Sequence, residues 1–336
     1  MRKLKLKIYP LMIIFIVILG FFLMFFNVIN KPIKSKEDIV IEIKEGDSFY
    51  SIINSLSKEK VIRGIPFIKL YVLLSDETIE VKPGSYLLSS ELTLKELITL
   101  LTTESTLGIV KFTVPEGYTI DKISEKLESE GICSKEDFIA SIENYDLPSY
   151  VKRDDNKKYN LEGYLFPDTY SLKKGMNPKD IVTMMLNRFE EALDQVTSEL
   201  GVDVEDINVE EIITIASMIE REAILDEERP IISSVIRNRL NQEMKLQIDA
   251  TVIYALGDHT EVVLHSDLEV DSPYNTYKNY GLPAGPISNP GIPSIKAALK
   301  PAETDYIFYV LENENGTHYF TNNYEDFLNK QEELGY

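Results

Sequence analysis

One cysteine, three histidines and a shortage of basic residues set the first limits on this 336-residue chain. Cys133 alone permits no internal disulfide, and His259, His265 and His318 show no ligand spacing, so neither a disulfide framework nor a metal centre is expected. No cofactor is expected either. Lys and Arg number 35 against 55 Asp and Glu, a net charge of −20. Four of the positive charges (Arg2, Lys3, Lys5, Lys7) fall at the very start, so the rest of the chain carries −24 and repels phosphate backbones. Nucleic acid is excluded as a partner on that ground. With 44% hydrophobic and 27% charged residues, the chain is neither disordered nor collagen-like and can form one large or two small cores.

Charge is also missing from Ile8 to Ile29, a run about as long as the ~20 residues a helix needs to cross a bilayer. The segment reads as a membrane anchor. A cleaved signal peptide is the alternative, but the apolar run is longer than a usual h-region and no small-x-small site follows it. The basic cluster before the span predicts a cytoplasmic residue 1–7 tail, with Lys31, Lys34 and Lys36 weakening the asymmetry. Nearly everything after residue 29 is then expected outside the cytoplasm, bound to the cell membrane by a single pass.

After a polar linker over 30–38, Ile39-Val-Ile-Glu-Ile-Lys alternates as a strand does, followed by Glu45-Gly46 and a helical pattern. The arrangement returns 71 residues on. Glu45, Gly46, Ser48, Ile52 and Leu56 align without a gap with Glu116, Gly117, Thr119, Ile123 and Leu127, and Val81-Lys-Pro-Gly84-Ser-Tyr is a looser third echo. Each Gly supplies a turn, and each Ser or Thr is placed to cap the next helix. The first of these βα modules resembles LysM-type peptidoglycan-binding repeats; the competing reading is a spacer. A boundary is expected near Leu107-Gly108, giving a small α+β module over 39–108 and an α+β domain with helices and a small sheet over 109–336.

In that second domain an aromatic loop, Leu161-Glu-Gly-Tyr-Leu-Phe-Pro-Asp-Thr-Tyr170, precedes helices expected at Pro178 to about Leu193, Val209 to Ala223 and Arg229 to Asn241. Gly and Pro then crowd residues 281–293, which describes ordered loops. Tyr306 to Leu311 reads as a buried strand with His318-Tyr-Phe-Thr as its hairpin partner. On a helical wheel Ile212, Ala216, Ile219, Ala223, Val209 and Ile213 share one stripe, and Glu220 falls inside it, about 80° from Ile212. A carboxylate on a buried face is rare unless it is paired or working, and burial raises its pKa towards what a general acid needs. The structural alternative is an ion pair with Arg237 or Arg239. Glu222, beyond the other edge of the stripe, reads as solvated or ion-paired.

Several ordered motifs resemble one family. Ala216-Ser-Met-Ile-Glu220-Arg-Glu222, Val235-Ile-Arg-Asn-Arg239-Leu, Leu246-Gln247-Ile-Asp249-Ala-Thr, Ser272-Pro-Tyr274-Asn275-Thr276-Tyr277 and Gly281 through Gly291 are similar to the endolytic murein transglycosylases of the YceG-like family, as is the Glu162 to Tyr170 loop. Ala223 stands where some relatives carry a hydroxyl, and Ala284 where a second proline is common; neither departure removes an ionisable group. The resemblance implies Glu220 as the catalytic residue of a lyase. Such an enzyme cuts the β-1,4 MurNAc-GlcNAc bond within peptidoglycan strands and leaves 1,6-anhydro-MurNAc ends, acting on nascent strands. It also implies penicillin-binding synthases and elongation proteins as partners. Given that chemistry, Gln247, Asp249, Tyr274, Asn275, Thr276, Asn289 and Glu162 supply groups to position sugar, while Tyr164, Phe166, Tyr170 and Tyr277 offer ring faces. Asp249 could instead cap the helix after it. Two other classes compete: a hydrolytic muramidase pairing Glu220 with Asp249 or Glu162, and a non-catalytic wall-binding scaffold.

Overall fold

The protein is described by a computed structural model covering residues 2–35, 38–75, 79–103, 109–257, 263–313 and 315–335, without the side chains of 2–11 and 13. The boundary expected at Leu107-Gly108, and His259, lie outside these residues. The fold is mixed α+β and divides into two compact units, Met1–Val110 and Lys111–Tyr336.

The first unit begins with helix α1 (Arg2–Asn30), whose side chains from Met12 to Phe26 include a long series of exposed large apolar groups. Among the described residues no helix is long and apolar enough to cross a membrane. Strands β1 (Ile39–Ile43) and β2 (Gly84–Leu88) pair antiparallel, Ile41 opposite Tyr86. Helices α2 (Phe49–Lys58), α3 (Ile65–Ser75) and α4 (Leu94–Thr102) close the core with Phe49, Ile53, Ile68, Tyr86, Leu97 and Leu101. Residues 31–35, read as linker, are tied in: Ile33 is buried and bridges Ile62, and the Lys34 amide donates to the Val61 carbonyl at 2.7 Å. Pro32 is buried beside Ile33 and its carbonyl accepts the Arg63 amide at 3.0 Å.

The second unit takes in β3 (Ile109–Thr113) from Lys111 on; this strand pairs with β4 (Thr169–Lys173), so the aromatic loop ends in a strand. Between them lie α5 (Ile120–Ser129) and α6 (Lys135–Glu143). The internal repeat is structural. Ser48 caps α2 by accepting from the Ser51 amide and Thr119 caps α5 by accepting from the Lys122 amide, each after a Glu-Gly turn whose glycine has φ of +89° or +76°. Then come α7 (Pro178–Leu200), which runs past its expected end to stop at left-handed Gly201, α8 (Val209–Glu222), α9 (Arg229–Asn241), α10 (Asp249–Ala255) and α11 (Ile292–Leu299). The expected hairpin forms as β5 (Phe308–Leu311) and β6 (His318–Thr321), with Val310 the one buried residue of β5, and α12 (Tyr324–Leu334) follows. Helices α8, α9 and α11 pack on one another, and the chemistry gathers where they meet.

Candidate active site

Helix α8 is placed by its apolar stripe: Ile212, Ile213, Ala216 and Ile219 are all buried. Ser217, also buried, accepts the Ile287 amide at 3.0 Å, and the Ser288 hydroxyl donates to the Ser217 carbonyl at 3.2 Å. This seam lays residues 287–291 along α8. One turn further on, the Gly291 amide meets the Glu220 side chain.

Glu220 is almost fully covered, its side chain 6% exposed. Oε2 accepts the Gly291 N–H at 2.9 Å and the Ser294 hydroxyl at 2.8 Å, both from the start of α11, where partial positive charge favours an anion. Among the described residues Oε1 accepts only from Arg229 Nη1, at 3.3 Å, longer than the ~2.7–2.9 Å usual between charged partners. The two oxygens are therefore unequal: Oε2 accepts two hydrogen bonds of ordinary length, and Oε1 one longer contact. Arg229, the first residue of α9, is itself shared, with Nε on Asp226 at 2.8 Å and Nη1 also on Ser294 Oγ at 2.6 Å. The partner of Glu220 is thus neither Arg237, which reaches the Ala298 carbonyl, nor Arg239, which reaches the carbonyls of Leu246 and Ile307.

A third carboxyl is close by. A Cβ placed on Gly291 would fall 1.8 Å from Glu116 Oε1, and one on Gly117 would fall 3.6 Å from Glu220 Cγ. Burial of its carboxyl end and the neighbouring Glu220 charge raise the Glu116 pKa above its ordinary value, with Arg229 acting in the opposite direction.

The other expected residues separate into two groups. Gln247 and Asp249 are exposed and Tyr277 is half-buried, and the Tyr277 hydroxyl donates to Asp249 Oδ1. Asp249 opens α10 without making a side-chain cap, and Gln247 takes a left-handed φ of +52° that a non-glycine residue rarely adopts. These three face solvent and stay available to a sugar. By contrast Glu162, Tyr164, Tyr274, Asn275, Thr276 and Asn289 are buried, as are Phe166 and Tyr170; among the described residues the Tyr164 hydroxyl has no hydrogen-bond partner, while the polar groups of the others are bonded inside the protein.

These residues, expected to position sugar, have their side chains turned to partners within the protein in this structure. Asn275 Nδ2 donates to the carbonyls of Leu268 and Val270, Thr276 Oγ1 accepts the Ile248 amide, and the Tyr274 hydroxyl accepts the Lys158 amide. Glu162 accepts the Ile120 amide at the start of α5, the Tyr254 hydroxyl at 3.0 Å and Asn289 Nδ2 at 3.2 Å. Burial pushes its carboxyl up to about 8. Asn289 also accepts the Leu165 amide and donates to the Tyr118 carbonyl, joining three distant segments. Glu222 is half-buried and makes no direct ion pair among its described contacts; it accepts the Tyr309 hydroxyl at 2.9 Å, and burial raises its pKa.

Arg229, Ser294, the Gly291 amide and Glu116 were missed from the sequence. The Gly291-Ile-Pro-Ser start of α11 is a legible helix N-terminus, but which anion it meets depends on packing.

Over residues 41–333 the chain matches the YceG-like family. It is 36% identical over 299 residues to a Bacillus subtilis (strain 168) protein named endolytic murein transglycosylase, covering 85% of this chain and 82% of that one. A Streptococcus pneumoniae (serotype 2, strain D39 / NCTC 7466) protein of the same name is 31% identical over 319 residues; the alignment takes in 87% of this chain but only 57% of the pneumococcal length. The crystal structure of a yceG-like protein from Listeria monocytogenes superposes with a TM-score of 0.59 at 35% identity, covering 88% of this chain and 99% of that one.

Proposed function

The chain belongs to the YceG-like family, and from that premise we propose that it is an endolytic murein transglycosylase in which Glu220 is the single acid and base. The observation that carries this reading is the inequality of the Glu220 oxygens: Oε2 is held by Gly291 and Ser294, while Oε1 has one long contact. A proton on Oε1 passes to the glycosidic oxygen of the β-1,4 MurNAc-GlcNAc bond as oxocarbenium character develops. The carboxylate then takes the proton of the muramic 6-hydroxyl, whose oxygen closes the 1,6-anhydro ring. Because that nucleophile is tethered to the reacting sugar, orientation contributes several of the ~7–11 kcal/mol available from intramolecularity. No water has to be activated. Gln247, Asp249 and Tyr277 are the expected residues left to position sugar.

A hydrolytic muramidase pairing Glu220 with Glu162 is disfavoured, since Glu162 is fully buried at a helix start. The test is mass spectrometry of products from purified glycan strands. Anhydro ends are expected from the native protein, with a ~100- to 10,000-fold loss in Glu220→Gln, the usual worth of general acid-base catalysis. Reducing ends would instead mean hydrolysis, and retained turnover in Glu220→Gln would remove the acid assignment.

The further parts of the reading are that residues 8–29 anchor the protein, with the catalytic unit outside the cytoplasm, and that the LysM-like module over 39–108 touches glycan. The charge-free sequence of residues 8–29 and the exposed large apolar side chains between Met12 and Phe26 support the anchor. An enzyme so placed would meet nascent strands beside penicillin-binding synthases and elongation proteins.

A further inference from the structure

We propose that helix α3 is a second membrane contact, lying in the outer boundary of the bilayer beside α1 with Leu73 and Leu74 among the acyl chains. This rests on the anchor reading of residues 8–29 and deepens it. Contacts between α3 and α1 carry it. A Cβ on Gly64, just before α3, would fall 2.6 Å from Val28 Cγ2, and the Phe67 ring lies 5.4 Å from that of Phe21 and 6.2 Å from that of Phe25. Phe21, Phe25 and Val28 all belong to the charge-free run. A side chain packed on them shares their depth, so a bilayer that takes in α1 takes in Phe67 as well.

The depth follows from the helix rise. Phe25 and Phe21 precede Ile29, the end of the run, by ~6 Å and ~12 Å of helix. Phe67 therefore sits at about the ~5–10 Å to which an interfacial helix buries its apolar face. Asp76 and Glu77, next in sequence after α3, belong in water. That requirement keeps α3 along the boundary between acyl chains and headgroups rather than across the bilayer.

The residues of α3 suit such a place. They read Ile-Pro-Phe-Ile-Lys-Leu-Tyr-Val-Leu-Leu-Ser, with Lys69 the one charge. A helix covering a water-soluble core keeps a polar face opposite its apolar stripe, and α3 is apolar nearly all round. Ile68 faces the core and is fully buried, whereas Leu73 and Leu74 are 76% and 69% exposed. The Ser75 hydroxyl donates to the Val72 carbonyl at 2.9 Å and so needs no water. Charged groups lie where headgroups would be. Arg63 donates to Asn27 Oδ1 at 2.8 Å and to the Lys31 carbonyl at 3.2 Å, at the end of the charge-free run. The Lys69 ammonium reaches over the exposed Tyr50 ring, as long cations and aromatics do at a membrane surface.

The chain contains no tryptophan, so a single introduced one reports its own surroundings. The full-length protein is reconstituted in phosphatidylcholine vesicles, with and without brominated acyl chains that quench tryptophan on contact, as Leu73→Trp, Leu74→Trp, Phe22→Trp and Leu87→Trp. Phe22 is exposed on α1; Leu87 is exposed on β2 between buried Tyr86 and Leu88, on the sheet face turned from the core that Ile68 enters. Tryptophan at 73, 74 and 22 should emit at shorter wavelength and lose roughly half its intensity or more to brominated lipid, while that at 87 keeps its intensity. Quenching at 22 but not at 73 or 74 would overturn the proposal and leave the anchor standing. A blue shift at 73 and 74 without quenching would mean that protein, such as a second copy of the chain, covers α3, and would overturn it too, as would equal quenching at 87. Absence of quenching at 22 would remove the anchor itself, so the two failures are distinguishable.

Discussion

Arg229 stabilises the site only as long as all its acceptors are present. Its side chain is 8% exposed and that of Glu220 6%, so this is a buried pair, which solvent screens little. Arg229→Met should lower stability by ~3–5 kcal/mol in thermal unfolding, because Glu220 would be left as an uncompensated buried charge. The double change Arg229→Met with Glu220→Gln should recover much of that loss. If the single variant unfolds at the native temperature, the pair contributes nothing and Glu220 owes its place to α11 alone. Glu162 makes a second prediction at this scale. Its folded pKa, about 8, lies above the ordinary carboxylate value of 4.5, so the folded state holds a proton that the unfolded chain has released. Its contribution to stability is therefore complete below pH 4.5 and is lost as pH rises to 8, by at most ~1.4 kcal/mol per unit. Glu162→Gln should flatten that slope in denaturant titrations across the same window; an unchanged slope would refute it.

At the scale of elements, the loop of residues 161–168 is fixed by close contact. Gly163 has φ +91°, and a Cβ there would lie 2.5 Å from Pro286 Cβ and 2.9 Å from Ile213 Cγ2. A proline ring and a β-branched side chain cannot move aside cheaply. Gly163→Ala should destabilise the second unit by ~1–3 kcal/mol or more, read from the urea midpoint, and lower activity as α8 shifts. The elements themselves were largely legible. Periodicity found α8, α9 and the hairpin, and the wheel put Glu220 on the covered face because a 3.6-residue repeat is a local property. Partners were not legible in this way. Arg229 reaches Glu220 because α9 and α11 begin at the same point in space, which no spacing along the chain encodes. Asn275, Thr276 and Asn289 look like ligand-binding groups by residue type, yet each satisfies buried backbone amides or carbonyls, a use that polar loop residues share with binding sites.

At the scale of the whole molecule, the proposed anchor makes the sharpest prediction. Ile16 and Phe22 are exposed on α1, at 57% and 52%, so aspartate at both would not disturb packing within the first unit. Inside a bilayer each would cost roughly 2.5–3.5 kcal/mol. The doubly substituted protein should therefore leave the membrane fraction on centrifugation while keeping its thermal transition. Should it remain in the pellet, α1 is not what holds it there.

Asn289 joins residues 124 and 171 positions away, and Glu220 receives its donors from 71 and 74 positions downstream. Those closures cannot form while the polypeptide is still leaving the ribosome, since the far segments do not yet exist. A chain stalled before Asn289 would be mute. On this topology the surroundings of Glu220 are completed only in the last stage of synthesis, once residues 289–294 have been made.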